Sequence, residues 1–147
     1  MSLSETIDQD IKQAMLAKNE ARLSTLRFLK SAVKYVAIDK SGAMSDADVL
    51  QVIQKQIKQH KESIQQFAAN GRKELAAKEE NEVRILESYL PKQVTDEELE
   101  RIVAQELQTQ GATGKKDFGR MMKHLNEKLA GAADNKRLSE LLGRSLK

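Results

Sequence analysis

The amino-acid sequence predicts an all-α protein. Only 3% of its 147 residues are aromatic, whereas 32% are charged. This balance suits amphipathic helices and is poor for sheets, which favour β-branched and aromatic side chains. Apolar residues recur at spacings of three and four along most of the chain, and residues that cap helix N-termini precede several of these runs. We therefore predict a succession of amphipathic helices.

Capping residues predict where the first two helices begin. Ser2-x-x-Glu5 is a capping box, and the helix that follows runs to about Ala17. Asn19 caps a second helix that extends to about Ile38. Two apolar stripes on this helix predict that it packs on two sides. One stripe contains Leu26, Leu29, Val33 and Val36, and the other contains Phe28 and Tyr35.

The next two helices are predicted to form a long antiparallel hairpin. Ser45, with Asp48 three residues later, caps the first of them. Asn70-Gly71 ends it, because glycine readily adopts the left-handed conformation. The second helix passes through Leu75, Val83, Leu86 and Leu90. Its acidic residues are expected to face solvent: Glu79, Glu80 and Glu82. The short connection predicts that the two helices are neighbours.

Pro91, the only proline, predicts a boundary between two domains. It disfavours helical geometry at the preceding residue and has no amide hydrogen to donate. We predict a helical N-terminal domain over residues 1–92 and a three-helix domain over residues 93–147.

The three helices of the second domain are predicted from local signals. Thr95-x-x-Glu98 is a capping box that opens the first helix, which Gly111 ends. The second helix is expected to span about 116–130. Gly131 ends it, and Asp134 caps the third.

The second of these helices has a basic face and an apolar face. At about 100° per residue, Lys116, Arg120 and Lys123 fall within about 60° of one another. From Ala112 onward, nine Lys or Arg stand against four Asp or Glu. Such a face can contact RNA phosphates without reading base sequence, although a basic face can also serve solubility alone. The candidate RNA-binding residues are Lys115, Lys116, Arg120, Lys123, Lys128, Lys136 and Arg137.

Residues that could carry catalysis are scarce. The sequence has no cysteine, and neither His60 nor His124 has a second histidine at metal-ligand spacing. We expect both to be surface histidines. The acids from Glu79 to Glu82 are the donor type that Mg²⁺ uses, but such runs are usually solvated. We therefore assign no catalytic residue, no metal site and no cofactor. Aromatics in apolar stripes also argue against base stacking as a mode of RNA binding; these are Phe28, Phe67 and Phe118.

Composition also bears on location. The absence of cysteine agrees with a reducing compartment. The first residues lack the basic and apolar regions of a signal peptide. No apolar run is close to the length of a membrane span, about 18 residues. We expect a cytoplasmic protein with no membrane partner.

Four segments resemble the YqeY family of small bacterial proteins. They are LRFLKSA at 26–32, ESIQQF at 62–67, GRKELA at 71–76 and LESYLPKQ at 86–93. The resemblance extends over essentially the whole chain, and the Tyr-Leu-Pro-Lys-Gln junction is its most specific element. It implies an all-α fold.

The second domain is also similar to the tail domain of GatB, a subunit of the glutamine-dependent aminoacyl-tRNA amidotransferase. The matching positions are Gly119, Met122-Lys123, Gly131-Ala132-Ala133-Asp134 and Leu141-Leu142, with Asp134 in place of an asparagine. This resemblance implies a tail-type three-helix bundle, contact with tRNA, and kinship to carbon–nitrogen ligases that use glutamine as amido donor. The catalytic cradle of GatB, with its ATP and Mg²⁺ site, has no counterpart here.

Three functional hypotheses follow. The first is a non-catalytic tRNA-binding accessory module, in which Pro91, Gly131 and Asp134 are structural. The second is a protein-interaction adaptor that uses the N-terminal hairpin and its acidic face, with a partner in the translation or amidotransferase machinery. The third is an enzyme with amidotransferase or hydrolase activity. We expect no product from this chain alone when it is given glutamine, ATP and mischarged tRNA.

Overall fold

The computed structural model describes residues 1–146, and within that range it contains α-helices and one short 3₁₀ turn but no strand. The helices are α1 (Leu3–Leu16), α2 (Glu20–Lys40), α3 (Asp46–Ala69), α4 (Lys73–Glu87), α5 (Asp96–Thr109), α6 (Phe118–Leu129) and α7 (Asn135–Ser145). The predicted all-α class is confirmed. Lys147, the last residue of the predicted second domain, lies outside the described residues. The chain divides into two compact units, Met1–Tyr89 and the residues from Leu90 onward.

All the predicted helix caps are present. Ser2, Ser45 and Thr95 each accept a hydrogen bond from the backbone N–H three residues later, and the acid at that position accepts one from the cap's own N–H. Asn19 and Asp134 also cap their helices, through their side-chain oxygens. A cap of this kind contributes about 1 kcal/mol, so these residues determine where five helices begin.

The first unit is built on α3 and α4, which pack along each other as a hairpin. Gly71 lies between them with a φ of 73°, in the left-handed region. α1 and α2 pack against each other, and both contact α3. The largest side chains of this core that are fully buried are Leu26, Leu29, Val49, Ile53 and Leu86.

Helix α2 packs on one side only within its unit, which differs from the prediction. Leu26 and Leu29 are fully buried, whereas Phe28 is 63% exposed and Tyr35 is 73% exposed. Of the two apolar stripes, the one that contains Leu26 is packed within the first unit, and the one that contains Phe28 is mostly exposed. Two apolar stripes on one helix therefore did not imply two packed faces.

Helix α4 also departs from the prediction at both ends. Leu75 is 41% exposed and Ala76 is buried in its place. The helix ends at Glu87 rather than continuing to Leu90. Pro91 disfavours helical geometry at Leu90, and beyond the helix end the hydroxyl of Tyr89 donates to Asp10 Oδ2 on α1 over 2.5 Å.

The second unit packs α5, α6 and α7 around a single apolar core. Its fully buried large residues are Leu99, Val103, Met121, Leu125, Leu138 and Leu142. The segment before α5 is joined to the turn between α6 and α7, because Val94 N–H donates to the carbonyl of Ala132 and Gln93 Nε2 donates to that of Gly131.

Both ends of α6 differ from the prediction by one or two residues. Residues Lys115–Asp117 form a 3₁₀ turn, so the α-helix begins at Phe118. At the other end, Ala130 already has a φ of 48° and Gly131 has a φ of 92°. Two successive left-handed residues reverse the chain toward α7. No helix among the described residues is long and apolar enough to cross a membrane.

Candidate functional site

The predicted basic face spans the 3₁₀ turn and the first half of α6. Lys115 and Lys116 lie on the turn, and Arg120 and Lys123 lie on the helix; all four are exposed. A 3₁₀ turn is wound more tightly than an α-helix, so the angular spacing predicted for a continuous helix applies only from Phe118 onward. We call these four residues the basic face.

Within residues 1–146, Arg120 is the one member of the basic face whose side chain also binds within the protein. Its guanidinium donates to Asp117 Oδ1 over 3.2 Å and to the carbonyl of Gln110 over 3.4 Å, and half of the side chain stays exposed. The pKa of Asp117 is lowered, first by a hydrogen bond from the backbone of Thr113 and then by Arg120. Arg120 therefore stabilises the turn between α5 and α6 while presenting charge to solvent. Among the described residues, the three lysines of the basic face form no ion pair.

Lys128 belongs to a polar cluster around a buried glutamate, which sequence reasoning missed. Its Nζ binds Glu106 Oε1, and the other carboxylate oxygen of Glu106 lies 2.6 Å from His124 Nε2. Glu106 is only 5% exposed. Hydrogen bonds from Lys128 and then His124 lower its pKa. We call these three residues the Glu106 cluster.

A sequence signal for the Glu106 cluster existed. Glu106 follows Leu99 and Val103 at the spacing of the buried stripe of α5, and an acid in such a stripe needs a partner. His124 lies on α6 with about a third of its side chain exposed, as expected for a surface histidine. Its contact with this carboxylate was not predicted, because it depends on how α5 and α6 pack.

The remaining two candidate cations lie at the start of α7. Lys136 is exposed and forms no ion pair among the described residues. Arg137 donates to Asp96 Oδ1 over 3.2 Å and to the carbonyl of Val94 over 2.8 Å. Arg137 thus holds the start of α5 against α7. Of the seven predicted RNA-binding residues, four are exposed and have no ion-pair partner in the part of the chain that the structure describes, and three bind within the protein.

A second polar cluster lies on the helix hairpin of the first unit. His60 Nδ1 on α3 contacts Glu79 Oε2 on α4 and lies 3.3 Å from Glu82 Oε2. The three side chains are 17%, 22% and 19% exposed. The prediction that Glu79 and Glu82 face solvent was wrong, as was the prediction for His60; Glu80 does face solvent. We call His60, Glu79 and Glu82 the His60 cluster.

The packed surface of α4 explains why these acids lie against α3. Ala76, Val83 and Leu86 are buried, and Glu79 falls between them at the same spacing of three and four residues. Burial raises the pKa of Glu82, and the neighbouring charge of Glu79 raises it further. One ligand atom from each residue of the His60 cluster lies within 4.8 Å of the others, so this group has a spacing that could hold a metal ion.

An apolar surface is exposed on α2. Phe28, Tyr35 and Ile38 are 63%, 73% and 76% exposed, and the exposed cations Arg27 and Lys34 are their sequence neighbours. We call these five residues the α2 surface. The prediction that Phe28 is packed was wrong, so the argument against aromatic stacking does not hold for this surface. Phe67 and Phe118 are half-buried.

Comparison with protein families identifies the relatives of this chain. The model of the Yqey-like protein family matches residues 4–146. The chain belongs to the YqeY family. The resemblance drawn from four sequence segments is thereby confirmed.

Curated relatives of this YqeY-family chain occur in yeasts. Three of them bear the name Altered inheritance of mitochondria protein 41, mitochondrial. The protein from Kluyveromyces lactis is 44% identical over 84 residues, which are 56% of this chain and 45% of the relative. The Lachancea thermotolerans protein is 39% identical over 85 residues, 57% of this chain and 46% of the relative. The protein from Saccharomyces cerevisiae strain YJM789 is 36% identical over 92 residues, which are 62% of this chain and 50% of the relative.

These alignments span about half the length of the relatives. The name of the relatives places them in mitochondria and states no substrate or binding partner. The cytoplasmic location expected for this chain stays a prediction, as do tRNA binding and the kinship to amidotransferases.

Proposed function

We propose that this YqeY-family protein is a non-catalytic accessory module that binds tRNA through its phosphate backbone. The observation that supports the proposal is the basic face, where Lys115, Lys116 and Lys123 are exposed without an ion-pair partner among the described residues. Lysine and arginine side chains contact phosphates without reading bases. The likeness to the GatB tail suggests tRNA as the particular RNA.

The contacts within the second unit rank the seven candidate cations. The lysines of the basic face should contribute most, and Arg120 should contribute through the exposed half of its guanidinium. Lys136 is exposed and should assist. Lys128 and Arg137 should contribute least, because an RNA phosphate would have to compete with Glu106 and Asp96 for them.

The test is a titration of tag-free, nuclease-treated protein with bulk tRNA at several salt concentrations. For phosphate contacts, the logarithm of the affinity falls linearly with the logarithm of the salt concentration. A double variant with Lys116→Glu and Lys123→Glu should bind more weakly and reduce the slope by about 2, one for each lost contact. Arg120 is left intact, so the turn that it holds is not disturbed.

A matched control removes the effect of net charge. Lys55 and Lys58 on α3 are exposed and form no ion pair among the described residues. Changing both to glutamate alters the total charge by the same amount and should leave the slope near that of the parent. If both double variants lose affinity equally, the basic face is not the binding site, and only the overall charge of the protein matters.

A second candidate function is a protein-interaction adaptor, and the α2 surface favours it. The acidic face first expected to serve this role contacts His60 instead. The exposed aromatic rings beside Arg27 and Lys34 suit a partner with an apolar patch and an acidic rim. This hypothesis predicts that a partner co-purifies at salt concentrations that remove RNA, and that a double variant with Phe28→Asp and Tyr35→Asp no longer retains it.

A further inference from the structure

We propose that the His60 cluster is a binding site for a divalent transition-metal ion. The ligand atoms of His60, Glu79 and Glu82 all lie within 4.8 Å of one another. A metal bound at usual distances of about 2.0–2.2 Å requires ligand atoms grouped this closely.

The donor atoms indicate the class of metal. The cluster offers one imidazole nitrogen, Nδ1 of His60, and one oxygen from each of two carboxylates. Imidazole favours Zn²⁺ and its first-row neighbours, whereas Mg²⁺ and Ca²⁺ prefer oxygen ligands alone. Three protein ligands also leave at least one position on a Zn²⁺ ion open to water.

The charges of the cluster are unbalanced without a cation. Two carboxylates that are about one-fifth exposed face a single imidazole. Neither carboxylate forms an ion pair with a lysine or arginine among the described residues; Lys78 influences Glu82 only through its charge. Partly buried carboxylates side by side repel each other, and a divalent ion between them would remove this repulsion.

The helices hold the three ligands in place. Glu79 and Glu82 are three residues apart and lie on the same side of α4, next to the buried Val83. His60 lies one turn beyond the buried Ile57 on α3. Ligands on packed helices are positioned more precisely than ligands on loops, so the site is largely formed before a metal binds.

The experiment uses tag-free, metal-free full-length protein titrated with Zn²⁺ by calorimetry, and with Co²⁺ followed by visible absorption. We expect one ion per chain, and absorption bands of Co²⁺ in a site of low coordination number. Excess Mg²⁺ should not displace Zn²⁺. His60→Gln and, separately, Glu82→Gln should each weaken Zn²⁺ binding by at least about tenfold, because even outer-shell partners are worth about 10 to 100-fold in metal affinity.

His124→Gln is the matched control, because His124 also contacts a carboxylate but its cluster already contains a lysine. This variant should bind Zn²⁺ like the parent. The helix content of each variant is measured by circular dichroism. If His60→Gln fails to fold, the isosteric Glu79→Gln and Glu82→Gln variants decide the question. Equal Zn²⁺ affinity in the parent and in folded cluster variants would overturn the proposal, and so would the absence of any Zn²⁺ or Co²⁺ binding.

Discussion

The His60 cluster and the Glu106 cluster share a histidine–glutamate contact but differ in the charge of their third residue. In each, a histidine on one helix contacts a glutamate on a helix packed beside it. The third member is Glu82 in the first cluster and Lys128 in the second. Accordingly, the pKa of Glu82 is raised by burial and by Glu79, whereas the pKa of Glu106 is lowered by Lys128 and His124.

The charge of the third residue distinguishes the two clusters. With Lys128 the Glu106 cluster is satisfied by its own contacts, whereas with Glu82 the His60 cluster could bind a cation. In the Glu106 cluster both carboxylate oxygens have a cationic or hydrogen-bonding partner, so the group joins α5 to α6 and has no need of a further cation. In the His60 cluster negative charge is in excess, which is the condition for binding a cation. A contact between a histidine and a glutamate therefore does not indicate a cation site until the charge of the third residue is known.

The largest expected effect comes from exchanging that third residue. Glu82→Lys makes the His60 cluster resemble the Glu106 cluster, and it should weaken Zn²⁺ binding by about 100-fold or more, because it replaces a ligand with a repelling charge. Calorimetric titration of metal-free protein measures the effect. Lys128→Glu makes the reverse change, and it should create weak Zn²⁺ binding at the Glu106 cluster in a His60→Gln background. Unaltered binding in Glu82→Lys would show that the comparison is mistaken.

The second-largest expected effect is on the thermal stability of the metal-free protein. Glu106→Gln should lower the melting temperature by several degrees, because it removes the charge that Lys128 and His124 contact in a buried position. Glu82→Gln should leave the melting temperature unchanged or raise it slightly, because it relieves repulsion from Glu79. Thermal unfolding followed by circular dichroism in a chelating buffer compares the two. Equal losses in both variants would mean that the two clusters are energetically alike.

The stabilisation by Glu106 should depend on pH with a defined sign. Its folded pKa lies below the ordinary value of 4.5, so its contribution is present above that value and disappears as the pH falls through the folded pKa. Melting temperatures of the parent and of Glu106→Gln should therefore differ at neutral pH and converge in acid. A difference that stays constant down to the acid limit of folding would argue against the ion pair as its cause.

The smallest effect concerns RNA. Lys123→Gln should reduce the slope of log affinity against log salt by about 1, as expected for the loss of one phosphate contact. Lys128→Gln should reduce it by less, because Lys128 already binds Glu106. Both variants change the charge equally, so each controls for the other. If Lys128→Gln has the larger effect, Lys128 leaves the Glu106 cluster when RNA binds.

The helix positions were predictable because their signals are local. The oxygens of Ser2, Ser45 and Thr95 bind backbone groups three residues away, so the sequence alone specifies these bonds. The basic face was predictable for a similar reason, since it depends on neighbours along one turn and one helix. The extent of apolar packing was less predictable. Nothing in the periodicity of α2 shows that Phe28 and Tyr35 are mostly exposed.

By itself, the sequence determined the all-α class, the capped helix starts and the excess of basic residues after Ala112. The tertiary structure alone decided which charges meet in the His60 and Glu106 clusters. His60 and Glu79 are 19 residues apart, and Lys128 and Glu106 are 22 apart, so each pair depends on how two helices align against each other. That alignment is set by the burial of apolar side chains over whole helices, and the polar partners follow from it.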